Sequence, residues 1–210
     1  DIITMPSPGI EPLTSMIAAF TEQHPAVRLN VSAAFTPEEV IESVRTGSSE
    51  IGLAGSSSPI RVPGVHVVDL ERQPLILIVN PRADTFRPGT AIQREDLAGH
   101  RLIASQRGSL MRWLVDDALA RGVTTEIVVE VAHRTSILPL VLAGVGHAVM
   151  PSSWAPTAHK AGLRTLLIEP VSHLDVAILS RKDGLTPAAR AFLDVAEQQA
   201  SGEESTAAPA

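Results

Sequence analysis

Residues 1–55 read DIITMPSPGI EPLTSMIAAF TEQHPAVRLN VSAAFTPEEV IESVRTGSSE IGLAG, and their alternation decides the fold class. Three apolar runs suited to strands, Ile2 to Met5, Val27 to Ala34 and Ile51 to Gly55, are separated by helical patterns at Ile10 to His24 and Pro37 to Arg45. Strand and helix alternating at this short spacing predict an open α/β sheet of parallel strands. Ile10, Leu13, Ile17 and Phe20 fall on one face at the 3.6-residue period of a helix packed on a sheet, and Ser7-Pro8 marks its start. Thr36-Pro37-Glu38-Glu39 is a capping box, with Thr36 as N-cap, proline at the first helical position and Glu39 reaching back; Phe35 and Val40 suit a hydrophobic staple.

Outward from this stretch the pattern resumes. Pro74 to Asn80, Arg101 to Ser105, Ile127 to Val131, His147 to Pro151, Leu163 to Ile168 and Val176 to Ser180 read as strands. Helices are predicted at Ser109 to Arg121 with Gly122 as stop, Thr135 to Gly144, Ser153 to Ala161 and, opened by Thr186-Pro187, up to Gln199. No sequence repeat is visible, yet the βα pattern occurs twice, so two similar lobes are the economical reading. Residues 201–210 are low in complexity with little to bury and read as a disordered tail.

Composition narrows the function. With 44% hydrophobic residues, 210 residues can bury a substantial core without staples. Cysteine is absent, which removes thiolate catalysis, cysteine zinc sites and disulfides, and fits a cytoplasmic location. No apolar run approaches the roughly 20 residues of a membrane span, so no membrane partner is expected. The charge of −6, the lack of a basic run and 3% aromatics with no Tyr argue against nucleic-acid binding by this chain alone. Asn30-Val31-Ser32 fits a glycosylation sequon, taken as chance without a secretion signal.

Four stretches, in order along nearly the whole chain, resemble the effector-binding region of LysR-type transcriptional regulators. They are Phe20 with His24 to Leu29, Gly47-Ser48-Ser49-Glu50-Ile51-Gly52, Glu95 to Ile103, and Ala143-Gly144-Val145-Gly146-His147-Ala148-Val149-Met150-Pro151. The chain departs from the family pattern at Ile3, where glycine is usual, and at Glu50, where aspartate is usual. The resemblance implies two Rossmann-like lobes in a type 2 periplasmic-binding-protein-like fold. Lobe I is expected over residues 1–78 and 174–200 and lobe II over 79–173, with crossovers near Leu75 to Val79 and Val171 to Ala177. It further implies a small-molecule effector held between the lobes, a homodimer or homotetramer packed through a first-lobe helix such as Pro37 to Arg45, and promoter DNA contacted only through a winged helix-turn-helix expected ahead of this segment.

The expected ligand-binding residues lie where strands end and helices begin. Ser7, Pro8, Thr36, Gly55 and Ser56 follow the first three strands, and Ser105, Gln106, Arg107, Ser109, Arg134, Thr135 and Pro151 supply the second lobe's share. Helix starts with hydroxyls suit a carboxylate, and Arg107 or Arg134 suits its charge. Ser7 and Thr36 read equally well as plain helix caps, and the arginines as solvated charges.

No catalytic residue, cofactor or metal is predicted. The seven histidines, at 24, 66, 100, 133, 147, 159 and 173, show no metal-ligand spacing. Hydrolase, zincin and P-loop motifs are absent, Gly144-Val145-Gly146 lacks the third glycine of a dinucleotide turn, and Asp116-Asp117 diverge on their helix as a solvated face. The rival readings are a solute-binding protein of a transport system and an enzyme on the same two-lobed fold.

Overall fold

The computed structural model describes residues 1–83, 86, 89–107, 109–120 and 124–206. In chain order the elements are β1 (Ile2–Thr4), α1 (Pro6–Ile10), α2 (Leu13–Gln23), β2 (Val31–Ala33), α3 (Pro37–Thr46), β3 (Ile51–Ser56), β4 (Val65–Val79), β5 (Ala91–Gln93), β6 (Arg101–Ser105), α4 (Leu110–Leu119), β7 (Glu126–Val131), α5 (Ile137–Leu142), β8 (His147–Pro151), α6 (Ala155–Lys160), β9 (Arg164–Glu169), β10 (His173–Arg181) and α7 (Pro187–Thr206). They divide into two units, residues 73–174 forming one and the segments before and after forming the other.

In the first unit β1 lies between β2 and β3, parallel to both, and β10 pairs antiparallel with the free side of β3. Phe20 of α2 meets Phe192 of α7 edge to face at 5.3 Å. Around this pair pack Ile2, Leu13, Met16, Leu53 and Ile178. Thr186 caps α7 by accepting from the Ala189 N–H at 3.2 Å, and Glu50 accepts from both the N–H and the hydroxyl of Thr186. The glutamate that departs from the family pattern therefore ties the entry of β3 to the start of α7.

In the second unit the order is β5-β9-β4-β8-β6-β7. β6 runs parallel to β7 and β8, while β4 runs antiparallel to β8 and β9. The sheets are thus mixed, correcting the expectation of parallel strands throughout. β4 brings the chain into the unit and so runs against the β6, β7 and β8 strands, each of which is followed by a helical turn.

Several boundaries differ from those read in the sequence. The predicted Ile10 to His24 helix begins later, as α2 at Leu13, and a separate α1 precedes it over Pro6–Ile10, which Pro12, having no N–H, does not continue. Its buried face is Leu13, Met16 and Phe20. β4 spans 15 residues, beginning well before Pro74, since its first half carries polar residues that hide the strand pattern. It runs through the division between the two compact units at 72/73; the return is at 174/175. α7 runs on to Thr206, past Gln199, through residues predicted to be disordered; the end at 207–210 and the helix stop at Arg121-Gly122 lie outside the described residues.

Candidate functional site

The register of the first unit aligns Thr4 with Ala33 and with Leu53. The segments that follow, carrying Ser7, Thr36 and Gly55-Ser56, therefore lie along one rim. Ser7 is fully buried and sits inside α1, whose N-cap is Met5, so Ser7 is not the cap the sequence suggested. Pro8 beside it is also buried. Thr36 is the N-cap of α3: its Oγ1 accepts from the Glu39 N–H at 3.3 Å. That bond uses a lone pair and leaves the hydroxyl hydrogen to donate. Glu39 reaches back one residue further than a regular capping box, accepting from the Phe35 N–H at 2.7 Å.

The start of α3 is a poor seat for an anion, contrary to the sequence argument. Pro37 offers no N–H, and Glu38 and Glu39 already place two carboxylates in the first turn. Nearby, the Gly55 N–H donates to the Met5 thioether at 3.3 Å, and the Ser56 hydroxyl donates to the Ser58 carbonyl at 2.5 Å. Ser56 also borders a groove of about 770 Å³ lined by Ile60, Asp69, Arg72, Asp175 and Val176. Two ion pairs border it, Arg72 with Asp175 at 2.8 Å and Asp69 with Arg61 at 2.7 Å.

The second unit has its own rim. Ser105 aligns with Val131, and the β6–β8 register places Pro151 just beyond it. Ser105, Gln106, Arg107, Ser109, Arg134, Thr135 and Pro151 thus all lie at the carboxyl ends of β6, β7 and β8. Ser105 is 4% exposed and its Oγ is buried without a hydrogen-bond partner. Arg134 is half-buried, and desolvation lowers its pKa to about 10, so it stays cationic at neutral pH. Ser109 caps α4 through the Arg112 N–H at 3.2 Å. Thr135 and Gln106 are exposed.

Arg107 is turned toward an acid on its own unit. Its N–H donates to Glu130 at 3.0 Å and its Nε lies 3.7 Å from the same carboxylate. The buried Arg112 donates to Glu130 at 2.6 Å and to Asp116 at 2.8 Å. The Arg107 backbone N–H and then the Arg112 guanidinium hold the Glu130 carboxyl below its usual pKa. This Arg112, Glu130 and Asp116 network escaped the sequence reading. In the sequence Asp116 reads as part of a solvated face; in the structure it accepts from the buried Arg112.

Among the described residues no three histidine, aspartate or glutamate side chains gather as a metal site, and no helix is long and apolar enough to cross a membrane.

The family described as the LysR substrate binding domain matches residues 2–201. The chain belongs to the LysR substrate-binding domain family. The uncharacterized HTH-type transcriptional regulator YfeR of Shigella flexneri is 29% identical over 162 residues, which cover 76% of this chain and 52% of YfeR. The phosphonates import ATP-binding protein PhnC of Anaeromyxobacter dehalogenans is 27% identical over 92% of this chain and 39% of its own length. Among solved structures, the effector-binding domain of QuiR in complex with shikimate superposes with a TM-score of 0.73 at 21% identity, covering 96% of each chain. This LysR domain therefore has the type 2 periplasmic-binding-protein-like fold, and it spans about half the length of the curated regulator it matches.

Proposed function

We propose that this LysR domain is the sensor of a transcriptional regulator: it binds a small organic acid, and binding changes the contacts that the regulator makes with promoter DNA in the cytoplasm. Its family membership over residues 2–201 carries the reading. The naming of YfeR as an HTH-type regulator favours it over the transport role suggested by PhnC and over an enzyme. A carboxylate suits the second unit's rim, where the orphan Ser105 hydroxyl offers a donor and Arg134 a desolvated charge. Shikimate, bound by QuiR, is itself a small carboxylate. DNA contact requires a helix-turn-helix segment belonging to the same protein.

The test is a thermal-shift screen of small carboxylates, read rim by rim. A ligand at 100 times its dissociation constant stabilises a fold that alone binds it by about 2.7 kcal/mol, or roughly 5 to 10 °C for a chain of this size. Ser105→Ala and Arg134→Gln are expected to lose most of that shift. Thr36→Ala also loses a helix cap, costing about 1 kcal/mol without ligand, so the ligand-induced difference is the quantity to compare. If Ser7→Ala and Thr36→Ala respond like the parent, those residues are structural; if all four do, the assigned site is wrong.

The same reading includes self-association as a homodimer or homotetramer. β2 is an edge strand with all three residues exposed, and Val31 and Phe35 leave a large part of their apolar surface uncovered beside α3. Sedimentation at micromolar concentration is expected to show a dimer that Phe35→Glu disperses; a parent that sediments only as monomer removes this interface.

A further inference from the structure

Arg94 opens the short 3-10 turn after β5 and is only 4% exposed. Its Nη2 donates to the Pro170 carbonyl at 3.2 Å, while its Nε is buried with no hydrogen-bond partner. Among the described residues it forms no ion pair. The neighbouring acids serve Gln93 instead. Asp96 accepts from the Gln93 backbone N–H at 2.9 Å, and Glu169 accepts from its side-chain amide at 2.8 Å.

A guanidinium N–H removed from water without an acceptor is costly. Its donors are a planar fork matched to the two oxygens of a carboxylate. We infer that Arg94 anchors an anion site in the second unit that takes a small carboxylate through Nε and the remaining hydrogen of Nη2. The strand register puts Arg94 at the end of its sheet: Gln93 aligns with Glu169 at the ends of β5 and β9, on the same side as Leu75 of β4, which aligns with Pro151. The site is separate from the Ser105 end of that rim. Four strand steps lie between β5 and β6, roughly 19 Å at about 4.8 Å per step, more than a small acid spans. It stands whether or not the Ser105 and Arg134 rim binds an effector.

Thermal unfolding in sodium acetate against sodium chloride at matched ionic strength tests it. Acetate at ten times its dissociation constant is expected to raise the parent's melting temperature by about 3 to 6 °C beyond chloride. Arg94→Leu is expected to be at least as stable as the parent in chloride, because it removes an unaccompanied charge, and to show no acetate shift. Arg94→Lys keeps the charge without the fork and is expected to lose more than half of the shift. No excess acetate effect on the parent overturns the site. So does a Leu variant that keeps the shift, or one destabilised equally in both salts, which makes Arg94 a clamp on Pro170. Should the Leu variant fail to fold, an undiminished shift in Arg94→Lys overturns it instead.

Discussion

Phe192→Ala is expected to lower the stability of the first unit by about 3 to 5 kcal/mol, the usual cost of deleting a buried phenylalanine. Phe192 is 2% exposed and its ring meets Phe20, itself fully buried, edge to face. The loss therefore combines burial, a cavity and an aromatic contact. At about 2 to 4 °C per kcal/mol this lowers the first unit's transition by roughly 6 to 20 °C. Phe192→Leu, which nearly conserves volume, is expected to cost less than about 1.5 kcal/mol. Because the two rings share one space, Phe20→Ala with Phe192→Ala should cost less than the sum of the single changes. Calorimetry resolves the matter, and a Phe192→Ala loss below about 1 kcal/mol would mean that α7 is not a structural part of this core.

Gly146→Ala is the second large effect. A β-carbon there would lie 2.7 Å from the Arg101 carbonyl oxygen and 3.2 Å from its carbon. Both are backbone atoms at the start of β6, held there because His147 pairs with Leu102. A flexible side chain could swing away, but this carbonyl moves only with its strand, so a cost of about 2 to 3 kcal/mol is expected. Gly144, two residues earlier, is the control. It has open space around its missing β-carbon but a φ of 74°, so Gly144→Ala should cost about 1 kcal/mol through left-handed backbone alone. Equal denaturant midpoints for the two variants would refute the steric explanation for Gly146.

The pair that looked in the sequence like a fragment of a dinucleotide turn is thus a helix stop followed by a close strand approach. Local chemistry was legible: Thr36 caps α3 and Thr186 caps α7, because a hydroxyl three residues before an N–H needs no tertiary contact to act. The strand ends carrying Ser105 and Pro151 were placed on one rim because parallel βα units bring such ends together. What escaped depends on tertiary contact. The polar first half of β4 disguises a strand, and Arg112 finds Glu130 across 18 positions. Arg94 reads in sequence as one more surface arginine, and only its burial against Pro170 sets it apart.

The division at 72/73 and 174/175 also orders events during synthesis. A ribosome releases residues 73–174 as one uninterrupted stretch, so the second unit has all its strands before translation ends. The first unit does not. Until residues 175–180 emerge, one side of β3 has no partner, and until Phe192 emerges, Phe20 has no ring to meet. Residues 1–72 must therefore wait, with apolar surface uncovered, through the translation of about a hundred intervening residues, several seconds or more at typical elongation rates of roughly 5 to 20 residues per second. Any chain truncated before Phe192 would carry a finished second unit attached to a first that cannot close.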